Sequence, residues 1–198
     1  DDMPEPQGVN VRNKEIEELP WGGKFAFYWC IVGGAIDNRY ATAIKKGIMQ
    51  SMTEGPLTGS NCQNIRVCIY DGKMHAVDSN DISFQLAASH AFKEAFNETR
   101  PQLLEPYYQL EVLCEDAYTG DVMGDLQTRR AIIQGMDTEG HYQKIISEVP
   151  LAELKDYGST LRSLTQGKAK FKLEFSNYQL VPTHVQESLV ISNAVLSE

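Results

Sequence analysis

The chain has 198 residues, of which 42% are hydrophobic, and its formal net charge at pH 7 is −9. This length suits one large domain or two small ones, and the apolar content is sufficient for real cores. No apolar run approaches the roughly 18–20 residues that cross a bilayer, and no signal-peptide pattern opens the chain, so we expect no membrane partner. The negative charge excludes a uniform attraction to nucleic acid but leaves room for a local basic patch.

Four cysteines limit the metal and redox chemistry that can be expected: Cys30, Cys62, Cys68 and Cys114. They form no C-x-x-C pair, so a zinc site and a disulfide framework are both weak interpretations. Reduced thiols in a cytoplasmic protein fit better. The first residues are Asp1-Asp2 rather than a methionine, and we expect the chain to be part of a longer protein.

The first predicted strand follows an irregular segment. Residues 1–22 are polar, and we interpret them as a surface loop or hairpin. The apolar and aromatic run over residues 24–32 predicts a buried strand. Gly33-Gly34 then permits a tight exit, and Asp37 can cap a helix over residues 38–54. The side of that helix expected to face the core carries Tyr40, Ile44, Gly47, Ile48 and Met52.

A second strand is predicted over residues 64–70, where apolar residues alternate with polar or partly polar ones. It ends at Asp71-Gly72, a pair that predicts a turn because glycine accepts a positive φ. Three residues after this turn are expected to be exposed at a tip: Lys73, Met74 and His75.

A helix should follow the tip, capped by Asp78 or Ser79. Its predicted inward stripe is Phe84, Ala88, Ala91 or Phe92, and Ala95. Because both strands lead into helices, the Gly33-Gly34 loop is expected to lie beside His75. The prolines of Arg100-Pro101 and Glu105-Pro106 mark a domain boundary, which gives a first domain over residues 1–105.

The pattern restarts in a second domain over residues 106–182. A strand with Tyr108, Leu110, Val112 and Cys114 leads to a helix capped by Thr119. Two strands over residues 132–137 and 142–149 follow, then a helix that Pro150 opens. A last strand should turn Phe171, Leu173 and Phe175 inward. This β-α-β-β-α-β order predicts an α+β, ferredoxin-like domain, in which we place the first and last strands centrally.

The chain should end in a helix over residues 183–198. Thr183-x-x-Gln186 after Pro182 has the pattern of a capping box, and Val185, Leu189 and Val195 supply an apolar side.

Motifs for catalysis are absent from the sequence. It contains no G-x-x-x-x-G-K-[ST] loop, no G-x-G-x-x-G fingerprint, no G-x-S-x-G elbow and no H-E-x-x-H. Asp71, Asp78 and Asp81 with His75 could form a divalent-metal site, which would suit a metal-dependent hydrolase. Turn formation, helix capping and the helix dipole explain these aspartates more simply. We therefore expect no catalytic residue and no metal. Recognition of RNA by the exposed tip is a second interpretation of His75, beside a solvated tip, which the pattern alone favours.

Specific runs of residues carry a family resemblance. The first half of the chain resembles domain IV of bacterial translation elongation factor G. The matching runs are Ile31-Val-Gly-Gly-Ala-Ile36, Gly55-Pro-Leu-x-Gly59, Tyr70-Asp-Gly-x-x-His-x-Val-Asp-Ser79 and Leu104-Glu-Pro106. Domain V of the same factor is similar to the second half, in Gly120-Asp-Val-Met-Gly-Asp-Leu-x-x-Arg-Arg130, Val149-Pro-Leu-Ala-Glu-Leu154 and Leu161-Arg-Ser-Leu-Thr-Gln-Gly167. The match runs in order from about residue 23 to residue 182.

The resemblance implies the C-terminal, ribosome-binding part of a GTPase that promotes movement of tRNA and mRNA. It implies a first domain of the ribosomal protein S5 domain 2-like type, a split βαβ fold, against which the C-terminal helix packs. The implied tip contacts to tRNA and mRNA at the decoding site are Gly33, Gly34, Asp71, Gly72, Lys73, Met74 and His75. The resemblance implies contacts to ribosomal RNA by Arg162, Ser163 and Gln166. The basic residues Arg129, Arg130 and Lys168 are predicted to add to them. DNA is not an implied partner, and the protein is expected to act as a monomer.

Several family features are altered or missing. The family's first domain IV strand, its domains II and III, and the GTPase domain that would bind GTP and Mg²⁺ are not in this sequence, so no cofactor is expected here. Residues 3–22 are longer than the usual connection. The family's Ile-Pro-Lys-Glu-Tyr is Ile36-Asp-Asn-Arg-Tyr40, which removes a tip lysine, and its Pro-Arg-Gly turn is Thr138-Glu-Gly140. A divergent paralogue, or a ribosome-protection factor of the same family, therefore stays an alternative.

Overall fold

A computed structural model describes residues 3–196. They divide into two compact units: unit 1 comprises residues 3–101 and 187–196, and unit 2 comprises residues 102–186. No helix in the described part of the chain has the length and apolar character needed to cross a membrane.

Unit 1 contains a three-stranded sheet in the order β1-β2-β3. Strand β1 (Asn13–Glu18) pairs antiparallel with β2 (Lys24–Trp29), and β2 pairs parallel with β3 (Ile65–Ile69). Of the two options for residues 1–22, the hairpin is therefore confirmed over residues 13–18. The sheet has one strand more than the two predicted, because β1 is a charged edge strand without a continuous apolar run.

One face of this sheet forms the main core of unit 1. The side chains of Phe25, Phe27 and Trp29 are almost completely buried there, and those of β3 with the same alternation pack against them. Helix α1 (Ala41–Thr53) and helix α2 (Asp81–Glu98) supply the other side of that core. The predicted apolar side of α1 is confirmed, since its members are all buried: Tyr40, Ile44, Gly47, Ile48 and Met52.

The opposite face of the sheet is covered by the N-terminal segment. Ala26, Tyr28 and Cys30 are buried against Met3, and the Tyr28 hydroxyl donates a hydrogen bond of 2.8 Å to the Met3 carbonyl oxygen. Both faces of β2 are therefore buried, which explains why its sequence is a continuous apolar run rather than an alternating one.

The two helices of unit 1 start differently from each other. Asp37 caps a short 3-10 turn (Asn38–Tyr40) that leads into α1, as predicted, by accepting a hydrogen bond of 3.0 Å from the Arg39 amide. The residue that caps α2 is Asn80, not Asp78 or Ser79 as predicted. Asn80 has an extended backbone and forms a reciprocal capping box with Ser83. The inward stripe of α2 uses Phe92 and Phe96, while Ala91 and Ala95 are exposed.

Unit 2 has the predicted β-α-β-β-α-β order. Its strands are β4 (Leu104–Glu115), β5 (Ile132–Glu139), β6 (Tyr142–Pro150) and β7 (Lys170–Leu180). They form an antiparallel sheet in the order β5-β6-β4-β7. Leu110, Val112 and Cys114 of β4 pack with helix α3 (Thr119–Thr128) and helix α4 (Tyr157–Leu164) in one core.

Three predictions for unit 2 are wrong in detail. Strand β7 lies at the sheet edge rather than in its centre, which leaves Phe171 and Phe175 about half exposed, although Leu173 packs on the core as predicted. Thr119 is the first helical residue and not a cap, because a 3-10 turn (Asp116–Tyr118) leads into α3. The helix expected after Pro150 is a short 3-10 segment (Leu151–Leu154) and a separate α4.

The last helix, α5 (Thr183–Leu196), begins at the predicted position. The side-chain oxygen of Gln186 accepts a hydrogen bond of 2.8 Å from the Leu103 amide, so this residue links the two chain ends of unit 2. From residue 187 the helix belongs to unit 1. Residues 197–198 of the predicted helix and residues 1–2 of the predicted loop lie outside the described residues.

Candidate nucleic-acid interface

Two loops leave the sheet of unit 1 side by side. Because β2 and β3 are parallel, their following loops start at the same sheet edge. The Cys30 amide extends this pairing by donating to the Ile69 carbonyl at 2.8 Å. Further along, the Asp37 amide donates to the Met74 sulfur at 3.2 Å. The predicted proximity of the Gly33-Gly34 loop and the His75 loop is confirmed, and we call the two loops (residues 30–40 and 70–80) the tip.

The glycines of the first loop turn the chain sharply. Gly33 and Gly34 have φ values of 71° and 73°, in the left-handed region that favours glycine. Both are exposed, and a β-carbon added to either would meet no atom of the described chain within 4 Å apart from its sequence neighbours. A partner could therefore approach the backbone closely here.

Gly72 is required for a different reason from the one predicted. Its φ is not in the left-handed region, and the chain reverses later, at residues 76–78, where the Ser79 amide donates to the His75 carbonyl at 3.2 Å. A methyl group on Gly72 would overlap the buried side chain of Ile36. The glycine thus allows the two tip loops to touch.

The three residues predicted to be exposed after Gly72 differ in their surroundings. Lys73 and His75 are exposed. Met74 is only half-exposed, because its side chain packs against the core of unit 1 and its sulfur accepts the Asp37 amide. The prediction of an exposed Met74 is therefore wrong, and this side chain instead anchors the loop that presents its two neighbours.

His75 is held by two residues that follow it. Its amide donates to Ser79 Oγ at 2.8 Å, and its Nδ1 atom lies 3.1 Å from Oδ2 of Asp78. The imidazole remains 70% exposed, so this contact orients the ring without burying it. Because the Asp78 carboxylate contacts Nδ1, the other ring nitrogen, Nε2, is left to hydrogen-bond with a polar group of a partner.

The first loop contributes Arg39 and Tyr40 to the tip. Tyr40 is buried, stacks on Phe84 with ring centroids 4.3 Å apart, and donates its hydroxyl to the Ser79 carbonyl at 3.0 Å. The Arg39 guanidinium lies over the Tyr40 ring and donates to the same hydroxyl at 2.7 Å. Ser79 therefore connects both loops, since it also contacts the backbone of His75.

The aspartates of the tip do not converge. Asp71 accepts a hydrogen bond of 2.7 Å from the Gly72 amide, Asp78 contacts His75, and Asp81 lies in the first turn of α2. Among residues 3–196 no three His, Cys, Asp or Glu side chains are close enough to hold a metal ion.

In unit 2, the end of α4 presents a group of exposed polar residues. Arg162, Ser163 and Gln166 are exposed, and Gln166 has a left-handed φ of 52°. The Gly167 amide donates to the Arg162 carbonyl at 2.9 Å and closes the helix end. Lys168 follows, with its Nζ atom 3.2 Å from Glu115, and this hydrogen bond raises the pKa of the Lys168 ammonium.

Arg129 and Arg130 are paired within unit 2. Arg129 bonds to Asp125 at 2.8 Å and lies over the Tyr157 ring, and its side chain is only 15% exposed. Arg130 bonds to both carboxylate oxygens of Glu105, at 2.7 and 2.9 Å, and to Glu153 at 2.9 Å. These bonds raise the pKa of Arg130. The pairing favours a structural role for both arginines, because their guanidinium groups are already bonded to carboxylates. Their contact with RNA stays a prediction.

Comparisons with known proteins assign both halves of the chain. The family model described as elongation factor G, domain IV, matches residues 12–100, and the one described as elongation factor G C-terminus matches residues 102–189. The chain belongs to the elongation factor G family. The resemblance predicted from the sequence motifs is therefore confirmed.

Individual members of the elongation factor G family agree with this assignment. Elongation factor G of Aquifex pyrophilus is 44% identical over 176 residues, which are 89% of this chain and 25% of that protein. Elongation factor G of Thermotoga maritima is 41% identical over 177 residues, 88% of this chain and 26% of that protein. The chain thus spans about a quarter of the length of these curated relatives.

A solved structure supports the α+β fold. A crystal structure of a protein from Thermus thermophilus is 39% identical, covers 91% of this chain and 29% of that chain, and superposes with a TM-score of 0.74. The predicted fold class, a split βαβ unit followed by a ferredoxin-like one, is therefore confirmed.

Sequence patterns miss the residues that join the tip loops in this elongation factor G relative. They place Tyr40 in the core only and Ser79 at a helix cap, yet the hydrogen bond between these two residues fixes the tip. Arg39 enters the sequence comparison only as part of a departure from the family motif. The position of Arg39 could have indicated its role, because an arginine beside an aromatic residue just before a helix can stack on that ring.

Proposed function

We propose that this chain is the ribosome-binding part of a translation elongation factor G-like GTPase that promotes movement of tRNA and mRNA. In this proposal the tip of unit 1 reaches the decoding site of the small subunit, and the end of α4 contacts ribosomal RNA of the large subunit. The observation that carries it is the match of consecutive domain IV and C-terminal family models over residues 12–189.

The geometry of the tip supports this role. Two loops project from the same edge of a rigid parallel strand pair, and Met74 and Tyr40 anchor them to the core. Lys73 and His75 are left exposed, with open backbone at Gly33 and Gly34 nearby. Such a tip offers polar side chains and accessible backbone to RNA, while its anchors resist bending when it meets the codon–anticodon region.

The end of α4 supports a second contact in the same way. Arg162, Ser163 and Gln166 are exposed on one helix end, and a guanidinium with neighbouring hydroxyl and amide groups suits phosphate and ribose. Lys168 adds a cation beside them. Arg129 and Arg130 already bond to carboxylates within unit 2, so a contact with RNA has to compete with these pairs.

GTP hydrolysis is assigned to a part of the protein outside this chain. The sequence has no G-x-x-x-x-G-K-[ST] loop, and its relatives are about four times as long. We therefore assign no catalytic residue to these 198 residues and place GTP and Mg²⁺ elsewhere in the same protein. The protein would work in the cytoplasm, as a monomer bound to a ribosome.

The test is a reconstituted translocation assay with the full protein that contains this chain. His75→Ala should slow the movement of tRNA and mRNA by at least about tenfold, the loss of about 1.4 kcal/mol of transition-state stabilisation. GTP hydrolysis on ribosomes should stay nearly unchanged. The matched control is His90→Ala, which removes an exposed histidine from the middle of α2.

Two results would contradict the proposal. Equal loss of hydrolysis and translocation in His75→Ala would point to a general defect in ribosome binding. Unchanged translocation in both histidine variants would remove the role assigned to the tip. A protein that releases a ribosome-bound drug but does not move tRNA would instead be a ribosome-protection factor.

A further inference from the structure

We infer that Arg39 binds a backbone phosphate of RNA, as a guanidinium held by Tyr40 beside the His75 loop. This inference rests on the proposed function, because it needs RNA at the tip. It assigns a phosphate contact to Arg39, which lies outside the sequence motif Tyr70–Ser79 around His75.

The Arg39 side chain is preorganised but accessible. Its guanidinium carbon lies 4.7 Å from the Tyr40 ring centroid, and one Nη2–H donates to the Tyr40 hydroxyl at 2.7 Å. The side chain is still 69% exposed, and its Nε atom forms an ion pair with Asp37 at 3.8 Å, which is too long for a hydrogen bond. Most of its five donors are thus available to a phosphate, and less rotamer freedom is lost on binding.

Tyr40 fixes Arg39 relative to His75. The tyrosine ring is buried against Phe84, so it does not move with the exposed side chains. Its hydroxyl donates to the Ser79 carbonyl, while Ser79 holds the backbone of His75 through its own amide and hydroxyl. The Arg39 guanidinium, which lies over the Tyr40 ring, therefore keeps a constant position next to the His75 loop.

The charge of the tip makes this cation important. The tip (residues 30–40 and 70–80) contains three aspartates, Asp37, Asp71 and Asp78, against two permanent cations, Arg39 and Lys73, and Asp81 follows at the start of α2. A phosphate that approaches this surface meets net repulsion unless it contacts a cation directly. Arg39 supplies half of the permanent positive charge and is the one that can bind a phosphate with two parallel hydrogen bonds.

The experiment measures affinity of the full protein for ribosomes that carry mRNA and tRNA, between about 50 and 200 mM salt. Arg39→Ala should weaken binding by about tenfold at the lower salt concentration and reduce the slope of log K against log salt by about one. Arg39→Lys should recover the slope but only part of the affinity, because lysine keeps the charge and loses the stacked fork. Lys93→Ala removes an exposed charge farther along α2 and should leave the slope unchanged.

Tyr40→Phe tests the positioning separately. It keeps the ring and removes the hydroxyl that Arg39 and Ser79 share. Its effect on affinity should shrink when Arg39 is already alanine, because the two changes act on one contact. Tryptophan fluorescence checks that unit 1 is folded in every variant, since Trp21 and Trp29 both belong to it.

Specific results overturn the inference. An unchanged salt slope in folded Arg39→Ala means that no phosphate is bound there. If His75→Ala slows translocation while Arg39→Ala binds as tightly as the unaltered protein, the inference fails and the proposed function stands. If both variants behave like the unaltered protein, the proposed function fails with it. An Arg39→Ala effect equal to that of Lys93→Ala shows a general charge effect rather than a contact.

Discussion

The Nδ1 atom of His75 lies 3.1 Å from Oδ2 of Asp78, and both side chains are largely exposed. The contact spans only three residues and is supported by the Ser79 hydrogen bond to the His75 amide. Asp78 is therefore a positioning residue for the imidazole, although its sequence position suggests a helix cap.

Asp78→Asn should weaken this orientation without unfolding the tip. An exposed pair of this kind contributes about 0.2–1 kcal/mol, so we expect translocation to slow by no more than about fivefold, less than in His75→Ala. Imidazole nitrogen chemical shifts in histidine-labelled protein should change at His75 and stay the same at His90. Asp81→Asn is the control, because Asp81 contributes to the first turn of α2 instead.

Gly47→Ala should destabilise unit 1. A methyl group at Gly47 would overlap the backbone carbonyl of Gln85, so α1 and α2 would have to separate. Overpacking of this kind costs about 1–3 kcal/mol, measurable as a lower free energy of unfolding by circular dichroism in denaturant, which reports on both units. Gly124→Ala is the matched control in α3, where the methyl group meets no neighbour and should stabilise the helix by up to about 1 kcal/mol. Equal stability of both variants would contradict the close packing of α1 on α2.

Glu105→Gln should destabilise unit 2 by about 2–4 kcal/mol, because it leaves Arg130 partly buried with only Glu153 as a charged partner. Hydrogen exchange of β4 amides would measure the loss. Glu174→Gln breaks the exposed pair with Lys172, which solvent screens, and should leave the exchange of the β4 amides nearly unchanged. If Glu105→Gln weakened ribosome binding with no loss of stability, Arg130 would have the RNA contact that its sequence predicted.

Cys62 should react slowly with alkylating reagents in the folded protein. Burial raises the pKa of its thiol from the ordinary 9.0 to about 11, so at pH 8 it supplies roughly a hundredfold less thiolate than an unperturbed cysteine. Cys68, which is half-buried, should be labelled first, as mass spectrometry of peptides would show. Labelling of Cys62 at the rate of a free thiol would mean that this part of unit 1 opens readily.

The same thiol makes unit 1 sensitive to high pH. Because the folded pKa is above the unfolded one, the contribution of Cys62 to stability is fully present below pH 9 and is lost as pH rises toward 11. Cys62→Ala should therefore flatten the decline of the unfolding free energy over this range. Cys114→Ala in unit 2 should leave the decline of unit 1 unchanged.

Features that depend on local chemistry were predictable from the sequence. Asp37 caps its turn because a carboxylate next to free amides does so in most contexts. The apolar side of α1 follows from its periodicity. The proximity of the Gly33-Gly34 loop to His75 follows from two strands that each lead into a helix, and the family resemblance added the interpretation of this tip as an RNA contact.

Features that depend on loop geometry or on distant contacts were not predictable. Asn80 caps α2 because Asp78 and Ser79 are engaged by His75, and that loop geometry has no local sequence signal. Asp156 adopts a φ of 58° and separates α4 from the preceding 3-10 turn. The spacing of the leucines does not indicate this break, because it is typical of one continuous helix. The edge position of β7 is set by which strands flank β4, and a half-exposed Phe171 looks like a core residue in sequence.

The hydrogen bond between Leu103 and Gln186 places the first and last residues of unit 2 next to each other, and Leu104 also pairs with Leu180. Unit 2 is thus an insertion within unit 1, whose last residues are made after unit 2 is complete. A ribosome making this protein can release a finished unit 2 before unit 1 has its final helix. A short linker from residue 101 to residue 187 could replace the whole insertion.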